Sequence, residues 1–429
     1  MDFHKNILIF PGGTESGLEI WKALKGNKFF TLYSASSNVS NHAPYVFSNH
    51  YVIPSVFQEG WIDTLNDITD RMGIDYIYPA HDDVLLSLAD NIGKIKARIV
   101  MPSVNAVRIC RSKLLTYNFF NSILPTPKIY KDPSEVDRFP VFVKPDIGQG
   151  SFNAYLIKDK VTLELILRKI PGMVVLEYLE GKEYTVDCFS DREKGLMFCG
   201  ARERIRTRNG ISVDTKPAPE EVTREVKQYA IIISEKLNLN GAWFFQVKQD
   251  SSGDYKLLEV GTRIAGGMAL FRVTGINFPL LSILEQERIP VEIFQNKFDV
   301  ELDRSLVNHY KTNIRYDNVY IDLDDCLFVN NKLNYDLLKF LFQCKGNKIK
   351  LNLITRNNTP LDKLRSMGLP ELFDKVIHIG LSDKKSDYIE GSSSIFIDDS
   401  FAERLEVSKT LGIPVFEPSA VEVLLDERE

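Results

Sequence analysis

The run Val319-Tyr320-Ile321-Asp322-Leu323-Asp324 carries an apolar strand into an aspartate, skips one residue and offers a second. At the carboxyl edge of a parallel sheet, where open α/β folds keep their ligands, that spacing sets a nucleophile beside an acid/base partner. The device recurs downstream. Residues 351–355 read as a strand ending in a hydroxyl, Thr355, and Ile395-Phe396-Ile397-Asp398-Asp399 as a strand ending in two carboxylates, with Lys384-Lys385 between them. A carboxylate attacking a phosphate dianion meets like-charge repulsion, so such a set calls for magnesium and a lysine.

A second constellation lies mid-chain. Residues 141–144 form an apolar run delivering Lys144, and Asp146-Ile147-Gly148-Gln149-Gly150-Ser151 follows as a flexible turn. A fixed cation beside a glycine turn suits polyphosphate, because glycines let backbone N–H groups approach the oxygens; the same glycines would equally serve hairpin geometry. Gln246 and Glu259 fall on two strands, 244–248 and 255–260. Oxygens converging from neighbouring strands are what magnesium bridging two phosphates requires. Arginines at 202, 204, 206 and 208 alternate along one strand face, which either binds an anion or is simply solvated. His81-Asp82-Asp83 ends a strand facing the same edge, where it could touch substrate, and reads mainly as the cap of the next helix. Gly12-Gly13-Thr14-Glu15-Ser16-Gly17 lacks GxGxxG spacing and reads as turn chemistry.

The elements that must carry these groups alternate strand and helix, which favours α/β architecture with largely parallel sheets. Strands are expected at 7–10, 76–78, 98–101, 140–144 and 153–157, and helices at 112–123 and 222–237. From 153 to about 300 the strands look antiparallel, and 285–316 is charged and weakly periodic, so the last boundary is expected near 310–317.

In family order, the mid-chain residues resemble the ATP-grasp superfamily, particularly carbamoyl-phosphate-synthase-like and biotin-carboxylase-like ligases, over roughly the first 300 residues. The resemblance implies α/β and α+β multidomain organisation: a Rossmann-like domain at 1–105 and an ATP-grasp domain at 106–312. It also implies roles. Lys113 and Lys144 would hold ATP phosphates under the loop Gly148, Gly150 and Ser151. Glu177 and the Leu179 backbone would contact adenine, and Glu183 the ribose. Gln246 and Glu259 would ligate magnesium or manganese, and Arg263 would stabilise the transferred phosphoryl group. The family usually has asparagine where this chain has Gly261, which removes a side-chain metal ligand.

Residues 313–429 resemble the haloacid-dehalogenase-like phosphatases, a Rossmannoid fold here with room for only a minimal cap. That resemblance implies Asp322 as nucleophile, Asp324 as acid/base, Thr355 and Lys385 as phosphoryl holders, and Asp398 with Asp399, beside Asp322 and Asp324, around magnesium. Together the two halves imply a bifunctional enzyme: a carboxylate–amine or carboxylate–thiol ligase working through an acyl phosphate, coupled to a phosphatase. Its partners would be a small-molecule carboxylate, an amine and a phosphate ester. The alternative is a nucleotide-sensing ATP-grasp module that regulates an active phosphatase, and Gly261 keeps it open.

Bulk properties narrow the classes. A formal net charge of −5 argues against a dedicated nucleic-acid binder, which needs a basic excess. Five cysteines without CxxC spacing fit reduced thiols in a cytoplasmic protein. No apolar run is long enough to span a bilayer, so no membrane association is expected. Related ligases often dimerise, and a homodimer is the corresponding expectation.

Overall fold

A computed structural model describes residues 3–37, 40–148, 150, 152–330, 332–426 and 428. The chain divides into two compact units, Met1–Leu306 and Val307–Arg428. Between Gln286 and Asn318 the only regular element is the short strand Leu302–Asp303, in keeping with the weak periodicity there.

The first unit opens on a parallel sheet whose order is His50–Val52, Phe30–Ser36, Lys5–Phe10, Tyr76–Pro79, Arg98–Ile99. Its central strand is apolar at successive positions because both faces are covered. Ile7 and Ile9 point into one cluster, Leu8 and Phe10 into another. The Ile7/Ile9 cluster also takes in Phe244, Phe271 and Phe278, so residues on either side of position 105 share one core.

Two antiparallel sheets follow in the same unit. One runs Ile129–Tyr130, Met173–Glu177, Val141–Pro145, Tyr155–Ile157. The other runs Tyr255–Gly261, Gly241–Gln249, Glu183–Asp191, Gly195–Arg208, Ile211–Pro217, Leu302–Asp303. The helix Glu220–Leu237 buries Val222, Val226, Ala230, Ile233 and Leu237, a stripe at helical spacing, in one cluster with the second sheet's Val186, Phe245 and Leu257.

The second unit is a five-stranded parallel sheet, in the order Lys375–His378, Lys350–Thr355, Asn318–Ile321, Ser394–Ile397, Val415–Phe416. Asn318–Ile321 sits centrally, and the chain's successive crossovers place its partners on opposite sides. That makes the carboxyl end of this strand a topological switch point, where parallel sheets open a crevice. Among the described residues between Asp324 and the helix Tyr335–Gly346, the one regular feature is the hairpin Phe328–Val329 with Lys332–Leu333. No described helix is long and apolar enough to cross a membrane.

Candidate functional site

A cleft of about 620 Å³ in the first unit is lined by Lys113, Gly148, Gly150, Gln246, Glu259 and Arg263, among others. Strand register explains their meeting. Glu259 is the cross-strand partner of Gln246, Gln246 of Thr185, and Thr185 of Arg202. Four side chains therefore stand in one row across the sheet, and all four line the cleft.

At the row's acidic end, Lys113 starts the helix Lys113–Phe120, capped by the Ser112 hydroxyl, and its Nζ donates to the carbonyls of Asp146 (3.3 Å) and Gly148 (3.1 Å). Burial pushes its ammonium below the usual lysine range, against the pull of Glu259. Lys144 is the penultimate residue of the strand Val141–Pro145, with its Nζ 5.6 Å from the Tyr117 ring centre. Burial lowers its pKa too, while the Glu259 and Glu183 carboxylates oppose the shift. Two cations held partly desolvated beside one carboxylate are prepared for an arriving anion.

Arg263 is clamped. Its Nε and Nη2 donate to the two Asp82 oxygens at 2.8 and 2.7 Å, and its Nη1 to Ser16 Oγ at 3.1 Å. Burial disfavours both charges, but their pairing prevails, holding Asp82 below and Arg263 above its ordinary value. His81 caps the helix Asp82–Asp90, as its position suggests; Asp82 does more, fixing a guanidinium that sits 181 residues later.

Gly261 has a steric cause. A Cβ there would lie 2.3 Å from Phe244 Cζ, so the aromatic ring fills the space an asparagine would need. Gly261→Asn should destabilise the unit by about 1–3 kcal/mol through overpacking, read from its denaturation midpoint. The double variant Gly261→Asn/Phe244→Ala should lose less stability than the sum of the two single variants. Gln246 and Glu259 remain as oxygen donors suited in kind to magnesium.

The other expected nucleotide contacts lie on the strands Met173–Glu177 and Glu183–Asp191 and on the segment between them. Glu177 accepts from the Lys128 backbone N–H (2.9 Å), Leu179 is buried, and Glu183 lies 3.3 Å from Arg204 Nε. Ser151 lies outside the described residues.

The arginine series does not act as one face. Register shifts between Arg204 and Thr207 break the alternation, leaving Arg202 and Arg204 in the cleft and Arg206 outside, paired with Asp303. Arg202 is only 3% exposed; its Nε donates to Asp187 Oδ2 at 2.8 Å, and its Nη2 is 3.5 Å from Oδ1. Burial raises the Asp187 pKa, which Arg202 counteracts. Arg202→Met would strand that carboxylate, a loss of about 3–5 kcal/mol measurable by chemical denaturation.

In the second unit, Lys385 Nζ bridges Asp322 Oδ1 and Asp398 Oδ2, 2.6 Å from each. Burial lifts the Asp322 carboxyl to about 6 and raises Asp398, while Lys385 counters both. The carboxylates in turn raise Lys385 against its own burial. Thr355, also buried, accepts from the Asn357 backbone N–H at 3.0 Å. Asp324 is turned to other partners, accepting from Asn357 Nδ2 (2.8 Å) and from Lys363. Asp399 is exposed, and its backbone carbonyl accepts from Arg404. Among the described residues no group of three or more His, Cys, Asp or Glu side chains is set to hold a metal. Asp322 and Asp398 converge on one point and suit a hard cation in donor type; Asp324 and Asp399 are not drawn to it.

Sequence reasoning gave no role to Thr185, Asp187, Asn357 and Lys363, and read Asp82 as a helix cap or substrate contact rather than as the partner of Arg263. Asp82, Asp187, Asn357 and Lys363 each pair with a residue distant in the chain. Asp82 alone carried a local signal, its place at a strand end.

Residues 169–303 match the family model described as ATP-grasp in the biosynthetic pathway with Ter operon. A D-alanine–D-alanine ligase from Fusobacterium nucleatum subsp. nucleatum is 30% identical over 142 residues, 32% of this chain and 47% of that protein. The chain thus spans about half the length of the curated relative it matches. Among solved structures, L-amino acid ligase from Bacillus licheniformis superposes with a TM-score of 0.55 at 18% identity, covering 67% of this chain and 75% of that one. The biotin carboxylase domain of Hydrogenobacter thermophilus 2-oxoglutarate carboxylase, solved with MgADP, ADP and bicarbonate, gives 0.54 at 16% identity, covering 69% and 72%. About two thirds of the chain therefore has an ATP-grasp fold.

Proposed function

We propose that the unit Met1–Leu306 is an ATP-dependent ligase that joins a small-molecule carboxylate to an amine or thiol. The observation that carries this reading is the Glu259–Gln246 pair facing Lys113 and the clamped Arg263 across one cleft, within an ATP-grasp fold. A carboxylate oxygen attacks the γ-phosphorus, the bond to the bridging oxygen breaks, and ADP leaves. The amine or thiol then attacks the acyl carbon and expels inorganic phosphate. Lys113, Lys144 and Arg263 neutralise charge on the phosphates, and positioning supplies most of the catalysis. Magnesium would be held by Gln246 and Glu259, where it would offset phosphate charge; manganese would suit the same donors.

The unit Val307–Arg428 we read as a haloacid-dehalogenase-like phosphatase with an open site. An Asp322 oxygen attacks the ester phosphorus, and the ester bond breaks as Asp324 protonates the departing alkoxide. Water deprotonated by Asp324 then cleaves the aspartyl phosphate. Lys385, shared by Asp322 and Asp398, supports this reading, and Asp324 must leave Lys363 to act. Magnesium at Asp322 and Asp398 would supply further charge neutralisation. Joining both activities in one cytoplasmic chain, as monomer or homodimer, would raise the local concentration of a shared intermediate.

ADP release that requires an acid, with magnesium present, is the test of the ligase. A second reading, a nucleotide-sensing module regulating the phosphatase, is favoured by the space Phe244 takes at Gly261. Tight ATP binding without turnover across a broad acid and amine screen would support the sensor instead.

A further inference from the structure

We propose that Arg202 and Thr185 form a carboxylate-binding subsite for the organic substrate, apart from the nucleotide's phosphates; it rests on the ligase reading and deepens it. Two buried donors carry the inference. Arg202 Nη1 and Thr185 Oγ1 each lack a hydrogen-bond partner among the described residues, although the two residues are 3% and 1% exposed. They are direct cross-strand partners, about 5 Å apart. Both line the cleft.

A guanidinium only donates and a hydroxyl can donate, so the missing atoms are acceptors. Unpaired buried donors lose their water without return, and a valine at 185 would keep the shape without that loss. An arriving carboxylate satisfies both, one bond from each. Asp187 already offsets the Arg202 charge, so each unit of ligand charge adds to the net negative charge there, and a monoanion costs less to bury than a phosphate dianion.

The row places this anchor away from the phosphate end. Two strand spacings, about 10 Å, separate the backbones of Arg202 and Gln246. A small acid gripped at Arg202 thus extends its reacting group toward Gln246 and Glu259. Gly267 holds the grip in place: a Cβ there would lie 2.6 Å from Arg202 Cζ, so the bare backbone packs against the guanidinium face.

The full chain, saturated with MgADP, is screened by thermal shift against small carboxylic and amino acids, with inorganic phosphate in parallel, and hits are remeasured by calorimetry. Thr185→Val should weaken a hit roughly tenfold while the melting temperature holds or rises, since a merely structural hydroxyl would not combine these effects. Arg202→Lys and Gly267→Ala should weaken it at least as much. The carboxamide analogue of the hit should not bind. In turnover, the affected KM, that of the acid or that of the amine, tells which substrate carries the carboxylate. The subsite is refuted if no acid binds wild type, if hits are indifferent to Thr185→Val and Arg202→Lys, if phosphate shows the same sensitivity, or if ADP weakens in parallel. Wild type that fails to bind ADP refutes the ligase reading itself, whereas ADP-tight protein with variant-indifferent acids refutes the subsite alone.

Discussion

Lys144→Ala should lower ATP affinity roughly 10- to 100-fold, about 1.5–3 kcal/mol for a lost charged hydrogen bond. The reason lies in what surrounds the ammonium. Burial already drags its pKa below the usual lysine range, and the Glu259 and Glu183 carboxylates oppose that shift. An anion arriving there meets a cation that has given up part of its water, so the contact gains more than it would at the surface. Removing the lysine leaves Glu259 facing the phosphates with less to oppose it. Calorimetric titration with ATP reads the change, and Lys144→Arg should retain more affinity than alanine. Unchanged affinity in Lys144→Ala would remove this residue from the nucleotide site.

Asp322→Asn should reduce hydrolysis of a generic phosphate ester by roughly four to six orders of magnitude, the range seen when one member of a catalytic unit is removed. Folding should survive. Asp322 and Asp398 share Lys385 in a buried space where burial has already pushed the Asp322 carboxyl up to about 6, so an uncharged amide there strands no new charge. Kinetics with p-nitrophenyl phosphate and a melting curve on the same sample separate the two effects. Asp399→Asn, at an exposed position, should cost far less than Asp322→Asn. Hydrolysis undiminished by Asp322→Asn would end the phosphatase assignment.

The positions of the candidate side chains were readable in the sequence wherever a strand ends in a polar group. Lys144, Thr355, Asp322 and Asp398 all stand at or just beyond such tips, because an apolar run followed by an acid, hydroxyl or lysine is both a strand signal and a site signal. The antiparallel pairing that sets Gln246 opposite Glu259 was likewise visible as two adjacent apolar runs. What pairs across the fold was not. Arg263 gives no hint in its own neighbourhood that Asp82 holds it, and Asp324 none that Lys363 does. The arginine series shows the limit of period-two reasoning, since the register shifts near Arg206 turn that side chain out of the cleft and leave Arg202 on Asp187. At Gly261 the ATP-grasp resemblance implied an absent side-chain ligand, and packing supplies a steric reason for the glycine, the Phe244 ring.

The most direct measurement follows an acid labelled with ¹⁸O in its carboxylate, drawn from a panel of acid and amine pairs, through turnover by the full chain with ATP and magnesium. ADP should form only when an acid is present, and the inorganic phosphate released should carry one labelled oxygen, because the carboxylate oxygen that attacked phosphorus leaves with it. ATP bound tightly with no acid-dependent ADP across the panel, or phosphate released without label, would contradict the account.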